Sequence, residues 1–295
     1  MGTVPRVLVN GPASWNTLIR LPALPDPRSQ TLFASGHHDG LGGTSAGKAI
    51  TLAALGVDVT LRTALGDDRE GSLVRTALAH PRITLVVQDV PATERHVNLM
   101  ADDGSRVSLY LELPSPPPAP LPTLDGVATA VLDLADHSRP LLVAARAAGV
   151  PVWCDVHDDD GTGEYPRDFV AAADVLLVSA ARLTDRRAYL ADAVARGCRL
   201  AVCTDGGHGA LALDADGWIE VPAAHVDEVV DANGAGDAFL AGLLSGTLDG
   251  LPVEDALARA SAAGALAVTT TALGAPTATV ATLDRTAATL DVKRV

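Results

Sequence analysis

The chain has 295 residues, 48% of them hydrophobic and 20% charged, enough to bury the core of one large domain or two smaller ones. A formal charge of −14 argues against a nucleic-acid partner, which needs basic patches, but leaves ATP open where local donors outweigh the global field. Cys154, Cys198 and Cys203 lack zinc or redox spacing, no run approaches the roughly 20 apolar residues of a membrane helix, and no signal peptide is evident, so a cytoplasmic protein is expected.

Short β-branched runs alternate with Ala/Leu-rich stretches along the chain. "RVLVNG" (6–11) reads as a strand and "SAGKAITLAALG" (45–56) as a helix stopped by Gly56. "DVTLRTALG" follows as strand and "REGSLVRTALAH" as helix. "TAVLDLA", "VPVWCDV", "DVLLVS" and "RLAVCTDG" are further strands, with "PLLVAARAAG" and "RRAYLADAVARG" as helices between them. This alternation predicts a mostly parallel sheet with crossover helices. Two regions depart from it. Residues 92–114 alternate with period two around Asp103-Gly104, a hairpin signal, and could join 31–40 in a small separate sheet. "PSPPPAPLP" (114–122) is a stiff connector, and "GALALDADGWIEVP" is a second hairpin turning at Asp216-Gly217.

"GGTSAGKA" (42–49) looks like a P-loop, but Ala49 stands where a magnesium-ligating Ser or Thr is needed. The more informative stretch is "EVVDANGAGDAFLAGLLSG" (228–246). There Gly234, Ala235 and Gly236 open an apolar helix, and small residues at a helix N-terminus let a phosphate approach free N–H groups. Asp237 beside such an anion site makes sense as a base taking a proton from a hydroxyl that attacks phosphate. A helix with an ordinary acidic first turn is the alternative reading.

D-x-x-G-A-G-D-x-F before an Ala/Gly/Leu helix resembles the C-terminal signature of the ribokinase-like, or PfkB, family of carbohydrate and nucleoside kinases. "GLGGTSAGKAITLAALG" (40–56) is similar to the family's N-terminal signature, "VCTDGGHGALAL" (202–213) to its nucleotide loop, and "SAAGALAVTTTALGA" (261–275) to its last helix. The resemblance implies one ribokinase-like α/β domain over 1–295, with a mostly parallel sheet flanked by helices and a small β lid from about 12–40 and 92–114. It implies ATP and Mg²⁺, and allows a monovalent cation such as K⁺ near Asp231. Asp237 would be the base, with the N–H groups of Gly234, Ala235 and Gly236 as the anion hole. Ser14, Asn16, Gly42, Gly43, Gly47 and Lys48 would bind the acceptor beside Asp237. Thr204, Gly206, Gly209, Gly234, Gly236 and Ser261 would bind nucleotide. No residue is assigned as a metal ligand.

Several positions depart from the family pattern. Gly47 stands where Asn is usual, leaving an acceptor contact missing or supplied by Lys48. Asn16 replaces an Asp that grips sugar hydroxyls. Ser179 and Arg182 occupy the N-x-x-E motif, and Arg182 is expected to pair with nucleotide phosphate instead. His157 replaces an Asn, and His37, His38, His96 and His157 read as solvated or lid-edge side chains. "HDDD" (157–160) reads as a solvated acidic loop.

The expected activity is ATP-dependent phosphorylation of a primary hydroxyl on a small unphosphorylated sugar or polyol, since no arginine cluster lies near the acceptor segments. The alternatives are a nucleoside kinase, with a base stacked near Trp15 or the lid, and a non-catalytic sensor on the same fold. A Rossmann dehydrogenase is disfavoured because "NGPASW" follows the first strand in place of G-x-G-x-x-G. An exposed lid sheet would offer an edge for pairing in a homodimer.

Overall fold

The computed structural model describes residues 6–102 and 105–295. In chain order its strands are β1 (Arg6–Asn10), β2 (Ser14–Leu21), β3 (Gly36–Gly42), β4 (Asp58–Leu65), β5 (Ile83–Asp89), β6 (Arg95–Ala101), β7 (Arg106–Glu112), β8 (Val127–Leu132), β9 (Val152–Asp155), β10 (Val175–Ser179), β11 (Leu200–Thr204), β12 (Ala210–Asp214), β13 (Gly217–Val221) and β14 (Lys293–Arg294). The α-helices are α1 (Thr44–Ala54), α2 (Arg69–Ala77), α3 (Arg139–Ala147), α4 (Arg167–Ala172), α5 (Arg186–Ala195), α6 (Ala235–Leu248), α7 (Val253–Ala267) and α8 (Val280–Ala287).

Among the described residues a 10-stranded sheet runs β14-β13-β12-β11-β10-β9-β8-β1-β4-β5, and a 4-stranded sheet runs β3-β2-β6-β7. From β5 to β11 the large sheet is parallel, as the alternation predicts, and β12–β14 close one edge antiparallel. Helices cover both faces, so the central strands are buried on both sides: Val7, Leu8 and Val9 of β1 are at most 1% exposed. The small sheet, hereafter the lid, is the separate one expected beside the large sheet. Asp103 and Gly104, the expected hairpin turn, lie outside the described residues, while β6 and β7 pair antiparallel on either side of them.

Three strands are not named individually in the sequence analysis: β2, which falls within the expected 12–40 segment and forms the centre of the small sheet, β5, which edges the large sheet, and the two-residue β14. The stretch 31–40 enters the lid only from Gly36 onward.

Helix α6 is apolar around its whole circumference, so it is buried on every side rather than amphipathic. Its close packing on α7 depends on missing side chains. A Cβ on Gly242 would lie 2.8 Å from that of Ala263, and one on Gly246 would lie 2.9 Å from Ala256. That tight seating fixes the helix whose first turn carries Asp237. No helix among the described residues is long and apolar enough to cross a membrane.

Candidate active site

In a parallel sheet all strands end on one edge, where ligands gather. Asp155 ends β9, Asp133 follows β8 directly, Ser179 ends β10 and Thr204 ends β11, with Ser179 and Thr204 in register. The N-termini of α1 and α6 meet this same edge. Gly234 caps α6 in the left-handed region (φ 79), and a Cβ there would lie 2.8 Å from the Gly274 nitrogen. Gly236 has nothing within 4 Å of where a Cβ would stand, so the first turn of α6 opens onto free space. Asp237 follows it, 9% exposed.

The deepest feature is an ammonium group among carboxylates. Lys48 is 0% exposed, and its Nζ lies 2.8 Å from Asp133 Oδ1, 2.9 Å from Asp237 Oδ1 and 3.3 Å from Asp155 Oδ2. Thr44, one helical turn before Lys48, accepts a hydrogen bond from Nζ and donates one to Asp237 Oδ1. Ser45 donates to Asp133 Oδ2 at 2.5 Å. Burial alone would strip the proton from Lys48, but Asp133, Asp237 and Asp155 outweigh it and hold the ammonium charged well above its usual range. Burial pushes the Asp237 carboxyl up, and Lys48 only partly offsets that. Asp155 goes the other way: burial raises it, yet His157 and Lys48 together bring it below the usual carboxylate range.

This corrects the expected place of Lys48. It is wholly enclosed, and its donors are spent on Thr44, Asp133 and Asp237. Gly47 also differs from expectation. A Cβ there would stand 2.9 Å from Asp237 Oδ2, so the position is filled by the Asp237 carboxylate and no side chain is missing.

The lid supplies a second set of groups. Ser14 pairs with Gly42 across β2 and β3, and a Cβ on Gly42 would strike the Asn16 amide and the Ser14 hydroxyl. Gly43 has φ 90, and a Cβ there would meet the Pro12 carbonyl at 2.5 Å. Asn16 accepts the His96 N–H at 3.1 Å, whereas the Ser14 Oγ is buried with no hydrogen-bond partner. Because β2 and β6 are parallel with Leu18 opposite Asn98, Asn16, His96 and Asn98 share the face that carries Ser14. His96 is buried, not solvated: its Nε2 lies 2.8 Å from Glu94 Oε1 without hydrogen-bond alignment, and its ring centroid is 3.8 Å from that of Tyr110. Glu94 and Asn98, 8% and 5% exposed, were missed from the sequence, although the alternation in "TERHVNLM" already puts them on one side. Trp15 points the opposite way and packs on the main core, which leaves it no part in stacking a base on the Ser14 face.

Arg20 and Arg106 stand at the far end of the lid. Arg20 donates to the Val230 carbonyl at 2.8 Å, and Arg106 to Asn233 Oδ1 at 3.4 Å, so both reach the loop leading into Gly234. These two arginines bear on the expectation that no arginine cluster lies near the acceptor segments, because their partners are in the 230–233 loop. In that loop Asp231 is 8% exposed, accepts the Asn233 N–H at 2.8 Å and has no ion-pair partner among the described residues.

The remaining expected residues divide. Thr204 ends β11, and Gly206 and Gly209 follow it, with φ 50 at Gly206 and 90 at Gly209, where a Cβ would run into the Val221 carbonyl at 2.1 Å. Nothing stands near Gly206, whose loop is open. Ser261 is not free: its hydroxyl donates to the Pro222 carbonyl at 2.7 Å and accepts the Ala224 N–H at 3.0 Å, pinning the segment after β13 to α7. Arg182 pairs with Asp160 at 2.8 Å, and both line a cavity of about 250 Å³ with Asp158, Asp159 and Thr162. The acidic loop is thus tied down through Arg182 and through Tyr189, which donates to Asp159 at 2.8 Å. No cluster of metal-ligating side chains occurs among the described residues. His157 follows Asp155 with φ 54, a left-handed conformation uncommon outside glycine, and its Nδ1 lies 3.6 Å from Asp155 Oδ1.

Residues 133–279 match the family described as pfkB family carbohydrate kinase. The chain is 36% identical to an acarbose 7(IV)-phosphotransferase of an Actinoplanes species over 291 residues, covering 89% of this chain and 92% of that protein. It is 34% identical to an ATP-dependent ribose-1-phosphate kinase of Halopiger xanaduensis, covering 88% of this chain and 91% of the other. Among solved structures it is similar to a microbiome-derived acarbose kinase, with a TM-score of 0.79 and 31% identity over 97% of this chain and 100% of that one.

Proposed function

The chain belongs to the pfkB family of carbohydrate kinases, phosphotransferases with an alcohol group as acceptor, and from that premise we propose that it phosphorylates a primary hydroxyl of an unphosphorylated sugar or polyol, with Asp237 as the base. The observation that carries this reading is the juxtaposition of the Asp237 carboxylate with the open first turn of α6, below a lid face of buried polar side chains.

In this reading the acceptor lies between the Ser14 face of the lid and Asp237. Asp237 takes the hydroxyl proton as the acceptor oxygen bonds to the γ-phosphorus, and the bond to the ADP leaving oxygen breaks. The N–H groups of Gly234, Ala235 and Gly236 meet the charge on the transferring phosphoryl, so positioning and fixed dipoles supply most of the rate. The raised carboxyl of Asp237 suits a base that must accept a proton.

The polar lid face supports an acceptor rich in hydroxyls. Ser14 Oγ is an unpartnered buried hydroxyl that a sugar hydroxyl would satisfy, and Asn16 and Asn98 can both donate and accept. Glu94 on that face would accept from hydroxyls and repel a phosphate. A second reading, a sugar phosphate as acceptor, draws support from Arg20 and Arg106 at the lid's far end and from the ribose-1-phosphate kinase relative. The nucleoside reading loses its proposed Trp15 platform.

Nucleotide would lie over the open loop at Gly206 and Gly209 after Thr204, with Arg182 turning from Asp160 toward its phosphates. Magnesium favours phosphate oxygens and water with one or two carboxylates, and the donor set here fits an ion brought by the nucleotide, with Asp158 and Asp160 beside its water shell. Such an ion would neutralise phosphate charge. A monovalent cation beside Asp231 fits a buried carboxylate that lacks an ionic partner. A second copy of the chain would pair along β7, an edge strand exposed throughout that carries Leu109, Tyr110 and Leu111.

The test is ADP release over a panel of hexoses, pentoses, polyols, nucleosides and sugar phosphates, with wild type and Asp237→Asn. Turnover on a neutral sugar or polyol, reduced ~10²–10⁴-fold in Asp237→Asn with ATP binding kept, is the expected result. Turnover on sugar phosphates alone would select the second reading. Binding without turnover would make the protein a sensor.

A further inference from the structure

Lys48 is wholly buried, yet it stands at the meeting point of the site. Its Nζ touches carboxylates from β9, from the residue after β8 and from the first turn of α6, elements far apart in sequence. Like charges buried this close cannot all stay ionised without a cation among them. Thr44 adds a second link, since its hydroxyl lies between Nζ and Asp237 Oδ1. Oδ1 of Asp237 is therefore held from the α1 side by Lys48 and Thr44 together.

We propose that Lys48 is a positioning residue for the transfer reaction, which keeps the Asp237 carboxylate ionised and aimed by dividing one buried ammonium among Asp133, Asp155 and Asp237. The proposal rests on the reading of Asp237 as the base. The groups that face Asp237 set the sign of every effect. From α1 come Lys48 and Thr44, which favour its ionised form; from the end of β9 and the loop after it come Asp155, which opposes it, and His157, which favours it. Asp133, beyond Lys48, acts through competition for Nζ. Burial pushes the Asp237 carboxyl up, so the base is only as available as Lys48 makes it.

Two substitutions then pull in opposite directions. Lys48→Met removes the cation and leaves the carboxylates unbalanced, so Asp237 should take up its proton at higher pH. Asp133→Asn removes a competitor and gives Asp237 a larger share of the ammonium, so its proton should leave at lower pH. A lysine that merely filled space would leave the Asp237 midpoint unmoved in Lys48→Met.

The measurement is carbon-13 NMR titration of the Asp237 carboxyl, assigned as the resonance lost in Asp237→Asn, in wild type and both variants, alongside the pH profile of kcat/KM. The midpoint should rise by ~1–3 units in Lys48→Met and fall in Asp133→Asn, and the acid limb of kcat/KM should move with it. Should Lys48→Met fail to fold, Lys48→Gln, which also removes the charge, takes its place in the same titration. A midpoint unmoved in Asp133→Asn, or moved upward, overturns the proposal. If the midpoints shift as expected but wild type turns over no acceptor, the hold of Lys48 on Asp237 stands and the kinase reading falls.

Discussion

Gly47 and Asp237 face each other so closely that a methyl group on the glycine would stand 2.9 Å from the aspartate Oδ2 and 3.1 Å from its Cβ. The chain has given up a side chain on α1 to let the carboxylate of α6 sit beside Lys48. Gly47→Ala should push Asp237 off its line to the acceptor, and displacement by a fraction of an ångström is costly in a positioned reaction. We expect kcat to fall ~10–100-fold with the KM for ATP little changed. Steady-state kinetics of this variant with wild-type kcat would mean that Asp237 tolerates the displacement.

Ser14 offers the reverse case, a buried group whose removal costs the fold nothing. Its Oγ has no partner in the free protein, so Ser14→Ala should leave the melting temperature unchanged or slightly higher. Acceptor binding should suffer, because a hydroxyl of the sugar loses its partner inside a closed site. The expected loss in kcat/KM is ~1–3 kcal/mol, read from acceptor titrations. An unchanged kcat/KM would place the acceptor away from Ser14.

Arg182 is held by Asp160 and is about half exposed, so it has both a resting partner and room to leave it. Arg182→Ala should raise the KM for ATP roughly ten-fold and leave that for the acceptor alone, the signature of a lost charge-assisted phosphate contact. Equal effects on both substrates, or none, would confine Arg182 to bracing the acidic loop.

His137 predicts how stability responds to acid. Burial, reinforced by the positive charge of Arg62, lowers its pKa from 6.5 to about 4. The unfolded chain therefore binds the proton first as pH falls, and the contribution of neutral His137 is complete above 6.5 and lost on descending toward 4. Partial burial limits the effect to ~1–3 kcal/mol. Denaturant melts across that window should show the decline, and His137→Gln should flatten it. A variant that loses stability in acid as steeply as wild type would rule His137 out as the cause.

The parts of the site written in contiguous residues were legible. Small residues before Asp237, and a Gly-Gly turn before an Ala-rich helix, are local patterns whose physics is local. The large sheet followed from its alternation for the same reason. What escaped depends on register and on distance along the chain. Thr44 and Lys48 visibly share one helix face, but nothing in their neighbourhood says that the ends of β8 and β9 close over that face. The alternation in "TERHVNLM" splits the strand into two faces, and only the parallel pairing with β2 decides that Glu94, His96 and Asn98 join Ser14. Nothing local to Arg20 announces its contact with Val230, 210 residues away. Ser261 stood in a recognisable motif, and its hydroxyl proved to be committed to a backbone clamp.

The reach of Arg20 to the Val230 carbonyl and of Arg106 to Asn233 joins the small sheet to the loop that ends at Gly234, the proposed anion hole. Two ligands that prefer the same closed arrangement are then thermodynamically linked. Whatever factor the sugar adds to the affinity for nucleotide, nucleotide must add to the affinity for sugar, because both work on one equilibrium. Under the proposed function, the two arginine contacts would contribute to that factor from the lid side. Cutting them back would leave two sites that each bind in isolation and no longer inform one another, so that ATP would be held as firmly without an acceptor as with one.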